Sequence, residues 1–218
     1  MKELLPLRTY FISGIDTDAG KTVATGFISK ALLDDGVSVI TQKLIQTGNH
    51  GISEDITEHR RIEGRTLLPE DLDGTTCCLI YSYPCSPHMA LAIDGREPEY
   101  DKATANTHRL EREYDKVLIE GAGGLMVPLT EDLLNIDYIA REGLSCILVG
   151  TAKLGSINHI LLSMEALAHR GIPTPMLVYN KGVSTDDRIT AETERYLRDY
   201  LRKHYPETTL IVLPPLDF

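Results

Sequence analysis

The 218-residue sequence has no run of apolar residues approaching the roughly 20 needed to cross a bilayer, so membrane spanning or anchoring has no support in it. Its cysteines, Cys77, Cys78, Cys85 and Cys146, include no C-x-x-C pair. No arginine-flanked apolar leader with a small-residue cleavage site precedes the first strand-like run. Together these absences predict a reduced, cytoplasmic setting. Positive charge is also short, with 22 Lys and Arg against 32 Asp and Glu, a formal net charge of -10. Such a field repels polyphosphate backbones and argues against broad nucleic-acid binding; any phosphate must be held by a local, preorganised site. Repeats and low-complexity linkers are missing too. What is present, 42% hydrophobic and 25% charged residues, suffices to bury a full core and predicts one domain over 1–218.

Short apolar and β-branched runs at 9–13, 37–41, 77–81, 117–119, 146–149, 176–179 and 210–213 read as strands. Several are apolar on both alternating faces, as a strand covered by helices on both sides of a parallel sheet must be. Between them, Ile157, Ile160, Leu161, Met164 and Ala168 recur at helical spacing, with His159, Ser163 and His169 elsewhere around the helix. Residues 21–33, 104–112, 133–141 and 186–203 read the same way. The alternation is β-α-β, and it predicts an α/β fold with a doubly wound, mostly parallel sheet flanked by helices. Pro84 and Pro87 flank a compact loop, while 48–53 and 63–74 look like longer excursions.

The run Gly14-Ile15-Asp16-Thr17-Asp18-Ala19-Gly20-Lys21-Thr22 follows a strand and opens a helix, the setting a phosphate-binding loop needs. Small residues let successive amides turn toward phosphate oxygens, and the helix start adds partial positive charge. Lys21 can reach the terminal phosphates and Thr22 can hold magnesium. Five residues separate Gly14 from Gly20 where the usual pattern has four, so this is a longer variant of the loop. The plain alternative, a tight turn with an exposed lysine, is disfavoured by the flanking strand and helix.

A second acidic position closes the strand Val117-Leu118-Ile119-Glu120, and Gly121-Ala122-Gly123-Gly124 follows where the chain must pass close to a ligand. Glu120 is therefore a candidate magnesium ligand, against the alternative of a strand-ending surface glutamate. Asp55 could be a third oxygen ligand, though nothing local separates it from Glu54. Lys43, Thr47 and Gly48 lie just past the second strand, where open α/β sheets bind ligands, although a solvated lysine is the ordinary expectation for Lys43. Asn180-Lys181 resembles the base-reading motif of GTPases, but Val183 stands where a guanine-reading aspartate would be, which argues for another purine.

Taken in order and spacing, the glycine loop at 14–22, Lys43 with Thr47-Gly48, Ser86-Pro87-His88, Glu120 to Gly124 with Pro128, Lys153 to His159, and Asn180 resemble the dethiobiotin synthetases over most of the chain. The resemblance implies a phosphate-loop NTPase-type fold. It also implies an ATP-dependent ring closure in which diaminopelargonate takes up CO2 to become dethiobiotin, with release of ADP and phosphate. On that reading Asp18, Ala19, Gly20, Lys21, Thr22 and Val23 hold the nucleotide. Gly121, Ala122, Gly123, Asn180, Lys181, Pro214, Pro215 and Leu216 fall on further nucleotide positions. Thr22, Asp55 and Glu120 hold Mg2+, which breaks the tie at Asp55. Lys43 falls on the catalytic lysine and acts with Lys21. Thr17, Thr47 and Gly124 fall on substrate-contacting positions. Gly155, Ser156, Ile157 and Asn158 resemble the segment that receives the substrate carboxylate across a homodimer interface.

The sequence departs from the family's pattern at Leu44, where proline is common, at Lys181, where aspartate is familiar, and at Thr193, near a frequent tyrosine. None removes a catalytic group. A partner-regulated ATPase of the deviant phosphate-loop type would carry a lysine where Asp16 stands. A GTPase-like switch would want aspartate at Glu120. A synthetase of the amidotransferase type would need a glutaminase domain with a nucleophilic cysteine, for which 218 residues are too few unless a partner supplies it; it stays as the enzymatic alternative and the partner-regulated ATPase as the non-catalytic one.

Overall fold

A computed structural model describes residues 1–182 and 186–214. In chain order the strands are β1 (Thr9–Gly14), β2 (Val39–Lys43), β3 (Gln46–Thr47), β4 (Ile80–Tyr81), β5 (Lys116–Gly124), β6 (Ser145–Thr151), β7 (Met176–Asn180) and β8 (Thr209–Leu213). The α-helices are α1 (Lys21–Asp34), α2 (Glu54–Glu63), α3 (Pro69–Leu72), α4 (Pro87–Asp94), α5 (Tyr100–Glu113), α6 (Asn135–Arg141), α7 (Ser156–His169) and α8 (Asp187–His204). Six strands form one parallel sheet in the order β2-β5-β1-β6-β7-β8. The chain leaves β1 toward one edge first and the other later. A crevice therefore opens at the carboxyl ends of β1 and its neighbours, where the winding reverses.

Alternation along the strands explains why both sheet faces are covered. Tyr10, Ile12, Leu118, Ile147, Val149, Met176 and Val178 face one core with Ala24, Ile28 and Leu32 of α1. Their neighbours Phe11, Val117, Ile119, Cys146, Leu148, Leu177 and Tyr179 face the other, with Leu110, Ile139, Met164, Leu167 and Leu197 from helices α5 to α8. A strand buried on both faces has no polar side to show, which is the physical content of the two-faced apolar runs.

Two expectations need correction. Of 77–81 only Ile80–Tyr81 is a strand, and it pairs with β3 rather than joining the main sheet. The chain bends after Lys43, and Thr76 O instead accepts the Lys43 N–H at 2.8 Å. On α7 the buried residues are Ser156, Ile160, Met164 and Leu167, with Ala168 exposed. The inward face is rotated from the one the apolar spacing predicts.

Helix α2 has only Ile56 and Ile62 as apolar residues, and its inward face is polar: His59, Arg60 and Glu63 are buried beside Ile56. Its ends are nonetheless well specified. Ser53 Oγ accepts from Ile56 N at 3.2 Å, acids occupy the first turn and arginines the last, and Gly64 ends the helix with φ 72. Arg60 anchors it. The guanidinium makes a two-pronged pair with Asp71 at 2.9 Å and also donates to Glu63 and to Thr41 Oγ1. Removing one partner from such a buried pair costs roughly 3–5 kcal/mol, because a charge is left uncompensated.

Candidate active site

The glycine loop fills the bend between β1 and α1. Gly20 stands at the helix start with φ 87, and a Cβ there would meet Asn180 Nδ2 at 2.1 Å, so both backbone and space require glycine. Asn180, from the end of β7, donates to Ala19 O at 3.1 Å and accepts from Gly182 N at 2.9 Å. Both ends of its amide are thus engaged in pinning the loop. Lys21 is buried and its ammonium donates to Asp16 O at 3.0 Å, which holds it over the loop. Burial, with the nearby Lys43 cation, lowers its pKa to about 8.

Thr22 begins the acidic side of the site. Its Oγ1 lies 3.1 Å from Asp55 Oδ1 and 3.0 Å from Glu120 Oε1, so three hard oxygen donors from α1, α2 and β5 converge. Glu54, the other half of the sequence-level tie, is exposed. Among the described residues no group of three or more His, Cys, Asp or Glu side chains gathers as a metal cluster. Two carboxylates and a hydroxyl suit a hard ion that takes its remaining ligands from phosphate and water better than one held wholly by protein.

Lys43, rather than being solvated, is buried between the same acids. Its Nζ is 2.5 Å from Asp55 Oδ2 and 2.7 Å from Glu120 Oε1, and it donates to Gly121 O at 3.1 Å. Burial works against this ammonium, but Glu120 and Asp55 outweigh it and hold its pKa above that of a free lysine. Burial likewise opposes the Glu120 carboxylate, and Lys43 and His59 outweigh it, so its pKa is held well below the usual carboxylate range. Lys43 is therefore a permanent cation at neutral pH, not a proton acceptor.

These groups line a cleft of about 460 Å³ that also contains Thr17, Asp18, Val23, Thr47, Ala122 and Gly123. Gly121 lies against the ring of Phe11, and Gly124 pairs with Gly14, which brings the β5 glycine run close to the loop. Gly155, Ser156, Ile157 and Asn158 are not in this cleft. They start α7, whose Ser156 borders a separate, narrower cleft with Thr17, Asp18 and Lys153. Lys181 points away, paired with Glu194 of α8 at 2.6 Å. Pro214 is exposed just beyond β8; Val183, Pro215 and Leu216 lie outside the described residues. Sequence reasoning passed over His59 and Thr41. His59 Nε2 is 2.7 Å from Glu120 Oε2, but in sequence it sits in a charged stretch that reads as a solvated face.

A doubly wound parallel sheet with a glycine loop running into its first crossover helix defines a phosphate-loop nucleotide-binding protein. A family model described as an AAA domain matches residues 8–217. The "ATP-dependent dethiobiotin synthetase BioD 2" of Pasteurella multocida is 47% identical over 206 residues, 94% of this chain and 97% of that protein. Its namesake in Haemophilus influenzae is 51% identical over 173 residues, 79% and 91% of the two chains. The crystal structure of the signal recognition particle receptor FtsY from Elizabethkingia anophelis superimposes with a TM-score of 0.52 at 11% identity, over 94% of this chain and 58% of that one, a likeness of fold alone. The chain belongs to the AAA-domain family and, within it, to the ATP-dependent dethiobiotin synthetases.

Proposed function

We propose that the chain closes the ureido ring of dethiobiotin from diaminopelargonate, CO2 and ATP, in the cytoplasm and as a homodimer. The observation that carries this reading is the Lys43 ammonium held between Asp55 and Glu120 beside Thr22, at the mouth of the Lys21 loop. One substrate amine adds to CO2 and loses a proton to give a carbamate. A carbamate oxygen takes the γ-phosphoryl group of ATP, releasing ADP. The second amine then attacks the carbonyl carbon, phosphate leaves, and a proton is lost as the ring closes.

The residues divide this work by charge. Lys21 and the amides of Asp18 to Val23 hold the phosphates. Lys43, fixed and cationic, faces the charge that develops on carbamate and transferring phosphoryl, where a preorganised cation acts with little reorganisation. Thr22, Asp55 and Glu120 would hold Mg2+, which when bound supplies positive charge to the phosphate oxygens. Thr17, Thr47 and Gly124 line the substrate side. Gly121 to Gly123 and Asn180 frame the nucleotide, and Lys181 would have to leave Glu194 to join them. The start of α7 at Gly155 to Asn158 offers its amides to a substrate carboxylate from the partner protomer. Exposed Met126, Leu154 and Leu162 near this end support such an interface.

Protein supplied with ATP, Mg2+, bicarbonate and diaminopelargonate is expected to form dethiobiotin. Lys43→Ala is expected to lower kcat by about 100-fold or more while the nucleotide dissociation constant moves less than about threefold, the pattern of an interaction made in the transition state. ATP hydrolysis that ignores the diamine and responds to a protein partner would overturn this reading.

A further inference from the structure

Glu120 uses its two oxygens on different sides. Oε1 meets Thr22 and Lys43 in the cleft, whereas Oε2 points into the protein toward His59 Nε2 at 2.7 Å. His59 is completely buried, and its other ring nitrogen, Nδ1, lies 3.0 Å from Thr41 Oγ1. That hydroxyl is 2.9 Å from Arg60 Nη1. A guanidinium can only donate, so Thr41 Oγ1 accepts from Arg60 and keeps its own proton free to donate. The ionised Glu120 carboxylate can only accept, so His59 Nε2 carries a proton and donates it; in a ring with one proton Nδ1 is then the acceptor, and Thr41 Oγ1 donates to it. The bond directions run one way: Arg60 to Thr41, Thr41 to His59, His59 to Glu120. Arg60 is itself fixed by Asp71 and Glu63, so the start of the relay cannot rotate away.

We propose that His59 is a positioning residue that occupies Glu120 Oε2 and thereby presents Oε1 alone to the cation beside the nucleotide phosphates. The inference rests on Glu120 being the metal carboxylate proposed above. Every group in the relay is buried, which keeps bulk water away from Oε2. Without the imidazole donor, the carboxylate could rotate or engage the ion through both oxygens, at odds with the near-octahedral shell of a small hard cation. Partners that orient a metal ligand in this way typically contribute about 10–100-fold in metal affinity.

The test uses the full chain saturated with a non-hydrolysable ATP analogue, with Mn2+ binding read from the EPR signal of free Mn2+. His59→Leu is expected to weaken Mn2+ binding by about 10–100-fold, and His59→Gln, which keeps a nitrogen donor near the Nε2 position, to recover most of it. Equal losses in the two variants, or none in His59→Leu, would overturn the proposal. A long-range 1H–15N spectrum of metal-free protein provides an independent reading. The imidazole signals that vanish in His59→Gln should show a protonated Nε2 and an unprotonated, acceptor Nδ1; a proton on Nδ1 with bare Nε2 overturns the relay. Should the leucine variant fail to fold, this spectrum decides alone. If the unsubstituted protein takes up no Mn2+, the metal reading itself fails; uptake matched by His59→Leu removes only the role of His59.

Discussion

Lys21 and Lys43 are both buried ammonium groups, and their surroundings push them in opposite directions. Lys43 has two carboxylates in contact and stays charged, whereas Lys21 donates to a carbonyl, and its burial, with a second cation nearby, brings its pKa down to about 8. Bound phosphate favours the charged form of Lys21. Below pH 8 the ammonium is already present and affinity is flat. Above it, binding must take up a proton, and the nucleotide dissociation constant is expected to rise by up to about tenfold per pH unit. Calorimetry at pH 7.5 and 9.5, in buffers of different ionisation enthalpy, should show both the weakening and the proton uptake; equal affinity at the two pH values would contradict a desolvated Lys21. The ligand-free protein responds with the other sign. Between pH 8 and the free-lysine value of 10.5 the unfolded chain holds this proton more tightly, so the Lys21 contribution to stability rises with pH.

At the scale of elements, the site depends on how closely α1 and α2 approach, since Thr22 comes from one and Asp55 from the other. Gly26 makes that approach possible: a Cβ there would meet Ile62 Cδ1 at 2.8 Å and Ile62 Cβ at 3.0 Å. A glycine inside a helix ordinarily costs about 1 kcal/mol relative to alanine, so its presence here reflects packing. Gly26→Val is expected to destabilise the protein by about 1–3 kcal/mol through overpacking, a fall of roughly 2–12 °C in Tm. Adding Ile62→Ala should recover part of that loss, a coupling that a double-mutant cycle in thermal unfolding would detect. Strict additivity would show that the two helices do not meet through this pair.

For the whole molecule, the net charge of -10 gives phosphate no long-range attraction, so the crevice must hold it through local groups, the loop amides, the start of α1 and two lysines that stand among Asp18, Asp55 and Glu120. Among the described residues no helix is long and apolar enough to cross a membrane. Met126 and Leu162 are more than half exposed and share a groove with Ile15, Thr17 and Gly124, so an interface there would adjoin the side of the site proposed for the substrate. Leu162→Glu is expected to halve the mass measured by light scattering and to reduce turnover of the diamine, while nucleotide affinity changes less than about twofold. A single-protomer mass for the unsubstituted protein would remove the dimer from the proposal.

The β-α-β alternation, the glycine loop and the run of Glu120 into glycines are properties of neighbouring residues, and the linear chain displays them, although Glu120 lies in the middle of β5 rather than closing it, because the strand continues through the glycines to Gly124. Helix α2 is different: its buried face is polar, so hydrophobic periodicity misses it although Ser53 and Gly64 mark its ends. Nothing near Asp55 distinguishes it from Glu54; Thr22, 33 residues away, does so by approaching one of them. His59 gains its place from a carboxylate 61 residues distant. Periodicity reports which side of an element meets apolar neighbours. The pairing of buried polar groups depends instead on which distant donors and acceptors arrive within about 3 Å, and only the folded chain brings them there.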